Sequence, residues 1–136
     1  MKDKRSNIKG RSSYGRHYQV PRFLTDTHAY RSLSAYAFKL WHDLMLQHDG
    51  KNNGRIDAIF SKLENRGWKN GTLYRSLGEL IEKGFITKTR QGGIGAMKTT
   101  CSLYRFTHLA TPANSEINIK GSGPTNEFKD WIERKK

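Results

Sequence analysis

The stretch GWKNGTLYRSLGELIEKGFITKTRQGG, residues 67–93, constrains the fold of this 136-residue chain more than any other. Its apolar residues recur at three- and four-residue spacing and predict a helix over residues 71–83. Gly84 ends that helix, and the strand FITKTRQ starts at once. Two interior glycines, Gly71 and Gly78, each cost such a helix about 1 kcal/mol relative to Ala. The face on which they lie therefore needs an explanation beyond helix stability.

The other elements are read from the same kinds of pattern. SLSAYAFKLWHDLMLQHDG predicts a helix, with Ser32 or Ser34 as its N-cap. RID is long enough for a strand of one or two residues, and AIFSKLENRG predicts a short helix with Asp57 as N-cap and Gly67 as its stop. A glycine-rich loop, GGIGAMKT, separates FITKTRQ from a second strand, TCSLYRFTH. The predicted order is helix, short strand, helix, turn, helix, strand, loop, strand.

Four segments carry a resemblance to a known family: the turn RGWKN, the junction ELIEKGFI, the loop RQGGIGAMK and the strand SLYRFT. Together with the element order, they make residues 30–108 similar to the winged helix-turn-helix DNA-binding proteins of bacterial chromosomes, prophages and plasmids. The resemblance implies an α+β fold, in which a three-helix core carries a small antiparallel β-hairpin wing. The predicted domains are a disordered basic arm (1–22), the winged helix-turn-helix domain (23–108), and a linker with a short C-terminal helix (109–136).

The helix over residues 71–83 has two contrasting faces. Its core side is predicted to hold Leu73, Leu77, Leu80 and Ile81. Its exposed side is predicted to hold Gly71, Thr72, Arg75, Gly78, Glu79 and Glu82. A face with so few side chains permits close approach to the floor of a DNA major groove. Alternatively, Gly78 is a tolerated imperfection and Arg75 pairs with Glu79, which contributes only about 0.2–0.5 kcal/mol. Tyr74, at the edge of the core side, is expected to pack rather than stack.

The family resemblance also implies which residues contact DNA. From the turn and the start of the helix these are Lys69, Asn70, Thr72, Arg75 and Ser76. Arg75 is the candidate for bidentate guanine recognition, and Glu79 could accept a hydrogen bond from a cytosine amino group. The wing offers Lys88, Arg90, Gln91 and Lys98 to a minor groove or to the backbone. Alternatively, the wing cations are only the solvated face of a hairpin.

The charge distribution points to the same kind of partner. With 25 basic and 12 acidic residues the formal net charge is +13, which makes an acidic partner the first hypothesis. Nucleic acid is the commonest such partner, and an anionic membrane surface or an acidic protein is the alternative; the family resemblance favours double-stranded DNA. Residues 1–22 hold seven Lys or Arg and one Asp, and too few aliphatic residues to fold. The arm cations expected to lie along phosphates or in a minor groove are Arg5, Lys9, Arg11 and Arg16. A solvated tail without function is the alternative.

The remaining features bear on location, chemistry and assembly. No window predicts a membrane span or a secretory signal, and the single Cys101 suits a reducing compartment, so we expect a cytoplasmic protein. No catalytic, metal-binding or cofactor motif is present, so we expect no enzyme activity, no metal and no cofactor. TNEFKDWIERKK predicts an amphipathic helix that begins at Thr125 or Asn126. It packs on its own domain or, alternatively, forms a homodimer.

Three functions remain open from the sequence. The first is sequence-specific DNA binding, as a transcriptional regulator or a replication-associated factor of a bacterial mobile element. The second is a protein-interaction module built on a winged helix, against which the high positive charge counts. The third is non-specific nucleic-acid binding driven by the basic arm.

Overall fold

The computed structural model describes residues 15–94 and 99–132, and these residues form an α+β fold with a small antiparallel sheet. The helices and strands in chain order are α1 (Arg22–Thr25), α2 (His28–Arg31), α3 (Ala35–Met45), β1 (Ile56–Asp57), α4 (Phe60–Leu63), α5 (Asn70–Glu82), β2 (Ile86–Arg90), β3 (Gly93–Ile94), β4 (Thr99–Thr100) and β5 (Leu103–Phe106). Single 3₁₀ turns occupy Glu64–Arg66 and Glu127–Asp130. Among the described residues, no helix combines the length and the apolar character needed to cross a bilayer.

The helix boundaries follow from local signals. Of the two candidate N-caps of α3, the structure uses Ser34, whose hydroxyl accepts a hydrogen bond of 3.1 Å from the backbone N–H of Ala37. Helix α5 lies within one residue of its predicted bounds at both ends, and it is followed by Gly84 at a φ of +83°. The predicted N-cap of α4 is wrong, because Asp57 belongs to β1 and the N-cap position is taken by Ile59. The Asp57 carboxylate still accepts a hydrogen bond from the Ile59 N–H, at 3.3 Å.

The sheet places β5 between β1 and β2, with both pairings antiparallel. Ile56 pairs with Tyr104, and Ile86 pairs with Phe106. The register of β2 on β5 shifts between Lys88 and Arg90, and Arg90 still pairs with Leu103. Strands β3 and β4 then form a separate two-stranded ladder. The connection between β2 and β5 therefore continues as a second, smaller ladder next to the three-stranded sheet.

The core lies between α3, α5 and the sheet. Trp41 of α3 is almost fully buried, and it contacts the aromatic rings of Tyr18, Phe106 and His108. From α5 the core receives Leu73, Leu77 and Leu80, and from the sheet it receives Ile56, Ile86, Tyr104 and Phe106. Tyr18 and Val20 also pack against this core. The packed part of the chain thus begins before residue 22, where the predicted arm ends.

The segment predicted as a linker is folded back on the domain. Isolated bridges join Thr111 to Ser122 and Asn114 to Ile119. The buried side chain of Asn53 holds the start of this segment, because its amide nitrogen donates to the carbonyl oxygens of Phe106, Leu109 and Ala110. Its own carbonyl oxygen accepts the Phe106 N–H at 2.7 Å. One asparagine therefore joins the α3–β1 turn to the end of β5.

The predicted C-terminal amphipathic helix is wrong over the described residues. In its place is the single 3₁₀ turn Glu127–Asp130, whose Phe128 is fully buried. The Phe128 ring lies parallel to that of Phe85, with centroids 5.3 Å apart. A helix of about ten residues is marginal alone in water, and here the packing of Phe128 determines the conformation. The expectation that this segment packs on its own domain is confirmed for residues 127–131.

Candidate nucleic-acid interface

The solvent face of α5 is formed by Gly71, Arg75, Gly78 and Glu82, all exposed. Lys69 and Asn70 are also exposed, at the N-terminal end of this helix. The N-cap residue Lys69 makes no side-chain hydrogen bond to the first turn. The first N–H groups of α5 therefore point toward solvent beside a lysine, an arrangement that favours anions such as phosphate.

The two glycines of this face are not required by packing within the chain. A Cβ added at Gly71 or at Gly78 would meet no atom of the described residues within 4 Å. Neither residue has a positive φ of the kind that favours glycine. The cost of Gly78 in the helix interior, about 1 kcal/mol relative to Ala, is therefore not offset by any contact that the structure describes, and Gly71 in the first turn makes no such contact either.

Arg75 lies in the middle of the solvent face. It takes part in none of the ion pairs of the described residues. On one side it borders a shallow depression of about 270 Å³, whose lining includes Tyr36 and Thr72. Thr72 is half-buried at its edge. A guanidinium in this position can reach outward to a base edge or to a phosphate.

Glu79 does not lie free on the solvent face, contrary to its predicted role in cytosine recognition. Its two carboxylate oxygens accept hydrogen bonds from the backbone N–H and the hydroxyl of Ser34, both at 2.7 Å. Lys83 pairs with the same carboxylate at 3.2 Å, so the predicted alternative pairing with Arg75 is also replaced. Burial alone would raise the pKa of the Glu79 carboxyl, but the hydrogen bonds from Ser34 and Lys83 outweigh it and hold that pKa below its ordinary value. Glu79 therefore fixes α5 to the start of α3.

Three further residues of α5 lie elsewhere than predicted. Ser76, a predicted DNA contact, is 4% exposed, and its hydroxyl donates to the Thr72 carbonyl at 2.8 Å. Ile81, predicted as core, is 38% exposed, and Tyr74, predicted to pack, is 65% exposed. All three departures have one cause. The buried side of α5 is rotated toward Ser76, which brings that small residue inward and moves Tyr74 and Ile81 outward.

The β2–β5 hairpin contributes fewer free cations than predicted. The Arg90 guanidinium donates from Nε and Nη2 to the Cys101 carbonyl, at 3.1 and 2.7 Å, and so braces the hairpin across its two strands. Lys88 is exposed and donates to the Gln91 side chain at 2.9 Å. Lys98 lies outside the described residues. The described part of the β2–β5 hairpin therefore presents Lys88 and Gln91 as an accessible polar pair.

Of the predicted arm contacts, only Arg16 belongs to the described residues, where it is exposed. Arg5, Lys9 and Arg11 lie outside them. Arg16 lies two positions before Tyr18, which packs edge-on against Trp41 with centroids 6.1 Å apart. The arm is thereby attached to the core close to its last cations. A cavity of about 590 Å³ lies beside this attachment and is lined by residues that include Arg16, Tyr18 and His48.

Sequence reasoning missed two exposed tyrosines near the solvent face of α5. Tyr36, in the first turn of α3, is 64% exposed and lines the depression beside Arg75. Tyr74 lines a second depression of about 260 Å³ between α5 and the sheet, together with Phe60 and Tyr104. Tyr36 could have been found from its position, since it falls off the apolar stripe of α3. Tyr74 could not, because its exposure depends on the rotation of α5.

Comparisons of this chain with protein-family models, with curated proteins and with solved structures find no match. Within residues 15–94 and 99–132, no group of three or more His, Cys, Asp or Glu side chains is arranged to hold a metal ion. The geometry and charge of the α5 solvent face and of the β2–β5 hairpin are therefore the basis for a functional proposal.

Proposed function

We propose that this protein binds double-stranded DNA in a sequence-dependent way, with the solvent face of α5 in the major groove and the β2–β5 hairpin beside it. In this proposal the fold is a winged helix-turn-helix, in which α3, α4 and α5 form the three-helix core. The protein would act as a transcriptional regulator or as a replication-associated factor of a bacterial mobile element.

The proposal depends on one observation, namely that Gly71 and Gly78 have open space on the solvent face of α5 where a Cβ would lie. Both lie on the exposed face of a 13-residue helix, and the described residues offer no packing reason for either. A face without side chains lets the helix backbone approach a groove floor closely, while a neighbouring arginine reads a base edge. Arg75 is exposed between the two glycines.

The order of elements supports the proposal. Helix α4 and its 3₁₀ extension end at Gly67, and α5 begins three residues later, at Asn70. In a helix-turn-helix, the second helix of such a pair enters the groove with its N-terminal residues toward the bases. The N-terminal end of α5 carries Lys69 and Asn70, both exposed, while Glu79 lies in its second half and is occupied by Ser34.

The net charge of +13 supports a polyanionic partner and counts against a pure protein-docking role. Charge alone would give binding that is strong at low salt and indifferent to sequence. The arrangement on α5 adds a means of base recognition, so the proposal predicts a recoverable sequence motif.

The experiment is selection from a random duplex library near physiological salt, using the full chain and its Arg75→Ala variant. We expect a motif for the natural protein. Arg75→Ala should lose about 1–3 kcal/mol of binding and relax the preference at one position. A matched control, Lys51→Ala, removes one exposed charge in the turn after α3 and should leave the motif intact.

Each other outcome contradicts the proposal in its own way. If duplexes are retained without a motif, and the two variants behave alike, binding is electrostatic and the basic arm is its main source. If no duplex is retained, DNA binding is wrong, and the exposed face of α5 belongs to a protein-interaction module.

A further inference from the structure

Two exposed tyrosines flank the solvent face of α5 on opposite sides. Tyr74 belongs to α5 itself, and at about 100° per residue it projects about 160° away from Thr72 around the helix axis. Tyr36 comes from α3 and lines the depression on the Thr72 side. The glycine-rich strip with Arg75 therefore runs between one tyrosine on each flank.

The Tyr36 ring is exposed but is supported on one side by the protein. Tyr36 packs edge-on against Trp68, with ring centroids 6.5 Å apart. Trp68 is itself buried and fixed, because its indole N–H donates to the Asp43 carboxylate at 2.7 Å. On the other flank, Tyr74 borders the depression that Phe60 and Tyr104 also line. Tyr36 thus has one side against Trp68, and both tyrosines present most of their surface to solvent.

We propose that Tyr36 and Tyr74 donate hydrogen bonds to phosphates on opposite strands of the duplex, one at each edge of the groove that α5 enters. This inference rests on the proposed function and assigns the contacts that position α5. A helix is about 10–12 Å across with its side chains, and the major groove is about 12 Å wide. Side chains on the two flanks of an inserted helix consequently face the two backbones, while those of its middle face the bases.

The chemistry of the phenol fits a phosphate better than a base. Tyrosine hydroxyls are among the groups that commonly bind phosphate oxygens, and such contacts set register without carrying sequence information. A phenol is a neutral donor, so it releases no counterion and should not alter the salt dependence of binding. Arg75 would then select the sequence, and the two tyrosines would hold the helix at the right depth and angle.

The test uses the full chain with Tyr36→Phe, Tyr74→Phe and the double variant, each titrated with a duplex recovered by selection and with an unrelated duplex. Each single change should weaken binding about threefold to tenfold, by a similar factor on both duplexes. The slope of log K against log salt should stay unchanged, whereas Lys69→Ala should reduce its magnitude by about 0.9. Because both rings are exposed, loss of one hydroxyl should leave folding intact. Tyr30→Phe, a half-buried tyrosine packed on Phe38, is the matched control.

Neutral methylphosphonate linkages, placed one at a time in the recovered duplex, locate the contacts. One linkage should weaken the natural protein more than it weakens Tyr36→Phe, and a second, on the other strand, should weaken the natural protein more than it weakens Tyr74→Phe, beyond the loss of one phosphate charge that all variants share. If both linkages lie on one strand, or if either variant binds as tightly as the natural protein, the inference is overturned while Arg75→Ala still reports the proposed function. If the natural protein retains no duplex at all, both proposals fail together.

Discussion

Gly78 and Gly84 lie six positions apart along the chain, yet they occupy opposite kinds of environment. At Gly78 an added Cβ would meet nothing within 4 Å among the described residues. At Gly84 the same atom would lie 2.7 Å from the backbone of Glu127 and of Phe128, and the φ of Gly84 is +83°. The fold therefore explains Gly84 completely and does not explain Gly78. The proposed function attributes Gly78 to close approach of a partner outside the chain.

The same contrast extends to the polar side chains around α5. On its packed flank, Ser34 and Lys83 both donate to the Glu79 carboxylate, and the buried Lys83 ammonium also donates to the Ser32 carbonyl at 2.7 Å. On its solvent face, Arg75 is exposed and outside the ion pairs of the described residues. Polar groups of the packed flank should therefore control stability, and those of the solvent face should control binding.

The largest effect is expected from Gly84→Ala. The variant meets a backbone conformation that disfavours a Cβ and a collision with the turn at Glu127–Phe128, for a combined loss of about 3–5 kcal/mol in the free energy of unfolding. Urea denaturation measures it. Gly67→Ala is the control, since Gly67 has a φ of +92° but open space around its Cβ, and should lose only the conformational part. Equal losses would mean that the C-terminal turn yields easily and is only loosely docked.

As the pH falls, the free energy of unfolding should decrease because of the packed region, before the solvent face of α5 is affected. Burial lowers the pKa of His108 to about 4, with a smaller effect from nearby His48. The unfolded chain binds this proton near pH 6.5, so stability is complete above that pH and is lost as pH falls toward 4, by about 3 kcal/mol. Denaturation at a series of pH values measures the slope.

His108→Gln is the matched variant for the pH series. The substitution removes the titrating imidazole. The Nδ1 atom of that imidazole is buried without a hydrogen-bond partner among the described residues. Its stability should therefore change less steeply between pH 6.5 and 4 than that of the natural protein. Parallel slopes would assign the acid sensitivity to other groups, such as His42 and His48, whose pKa values burial also lowers.

Glu79→Gln distinguishes a structural carboxylate from one that reads a base. The amide keeps its shape but loses the ion pair with Lys83, which is only 8% exposed, so we expect a loss of about 1–2 kcal/mol in stability. Because Ser34 and Lys83 occupy the carboxylate, the selected DNA motif should not change. If the selected motif changes at a single position while stability is unchanged, Glu79 contacts a base and its carboxylate is not mainly structural.

Much of the fold could be predicted from the sequence, because it depends on local signals. The bounds of α5 follow from apolar spacing and from Gly84, and the strands follow from β-branched and aromatic residues bounded by turns. Contacts distant in sequence could not be predicted in this way. Ser34 and Glu79 are 45 positions apart, and only the packing of α3 on α5 brings them within hydrogen-bonding distance.

The candidate site was harder to predict than the fold, for a geometric reason. Periodicity establishes that α5 has two sides, but the exact rotation depends on what packs against it. Ser76 is small enough to lie against the core, so the buried side is centred closer to it than the leucines alone indicate, and Tyr74 and Ile81 move outward. The C-terminal helix was mispredicted because the burial of Phe128 against Phe85 outweighs the helical spacing of its apolar residues.

Gly78→Ala has the smallest effect on stability and bears most directly on function. Alanine removes the conformational cost of glycine and meets open space, so the free energy of unfolding should rise by about 1 kcal/mol. The added methyl group lies on the solvent face, where close approach to a groove floor would be obstructed, so DNA affinity should fall as stability rises. Thermal denaturation and duplex titration of one preparation measure both quantities. Gly123→Ala, an exposed glycine of the C-terminal segment that also has open space around its Cβ, is the control for adding a methyl group away from α5 and from the β2–β5 hairpin. If Gly78→Ala is more stable and binds DNA as tightly as the natural protein, the groove does not approach α5 at Gly78, and this glycine is only a tolerated imperfection.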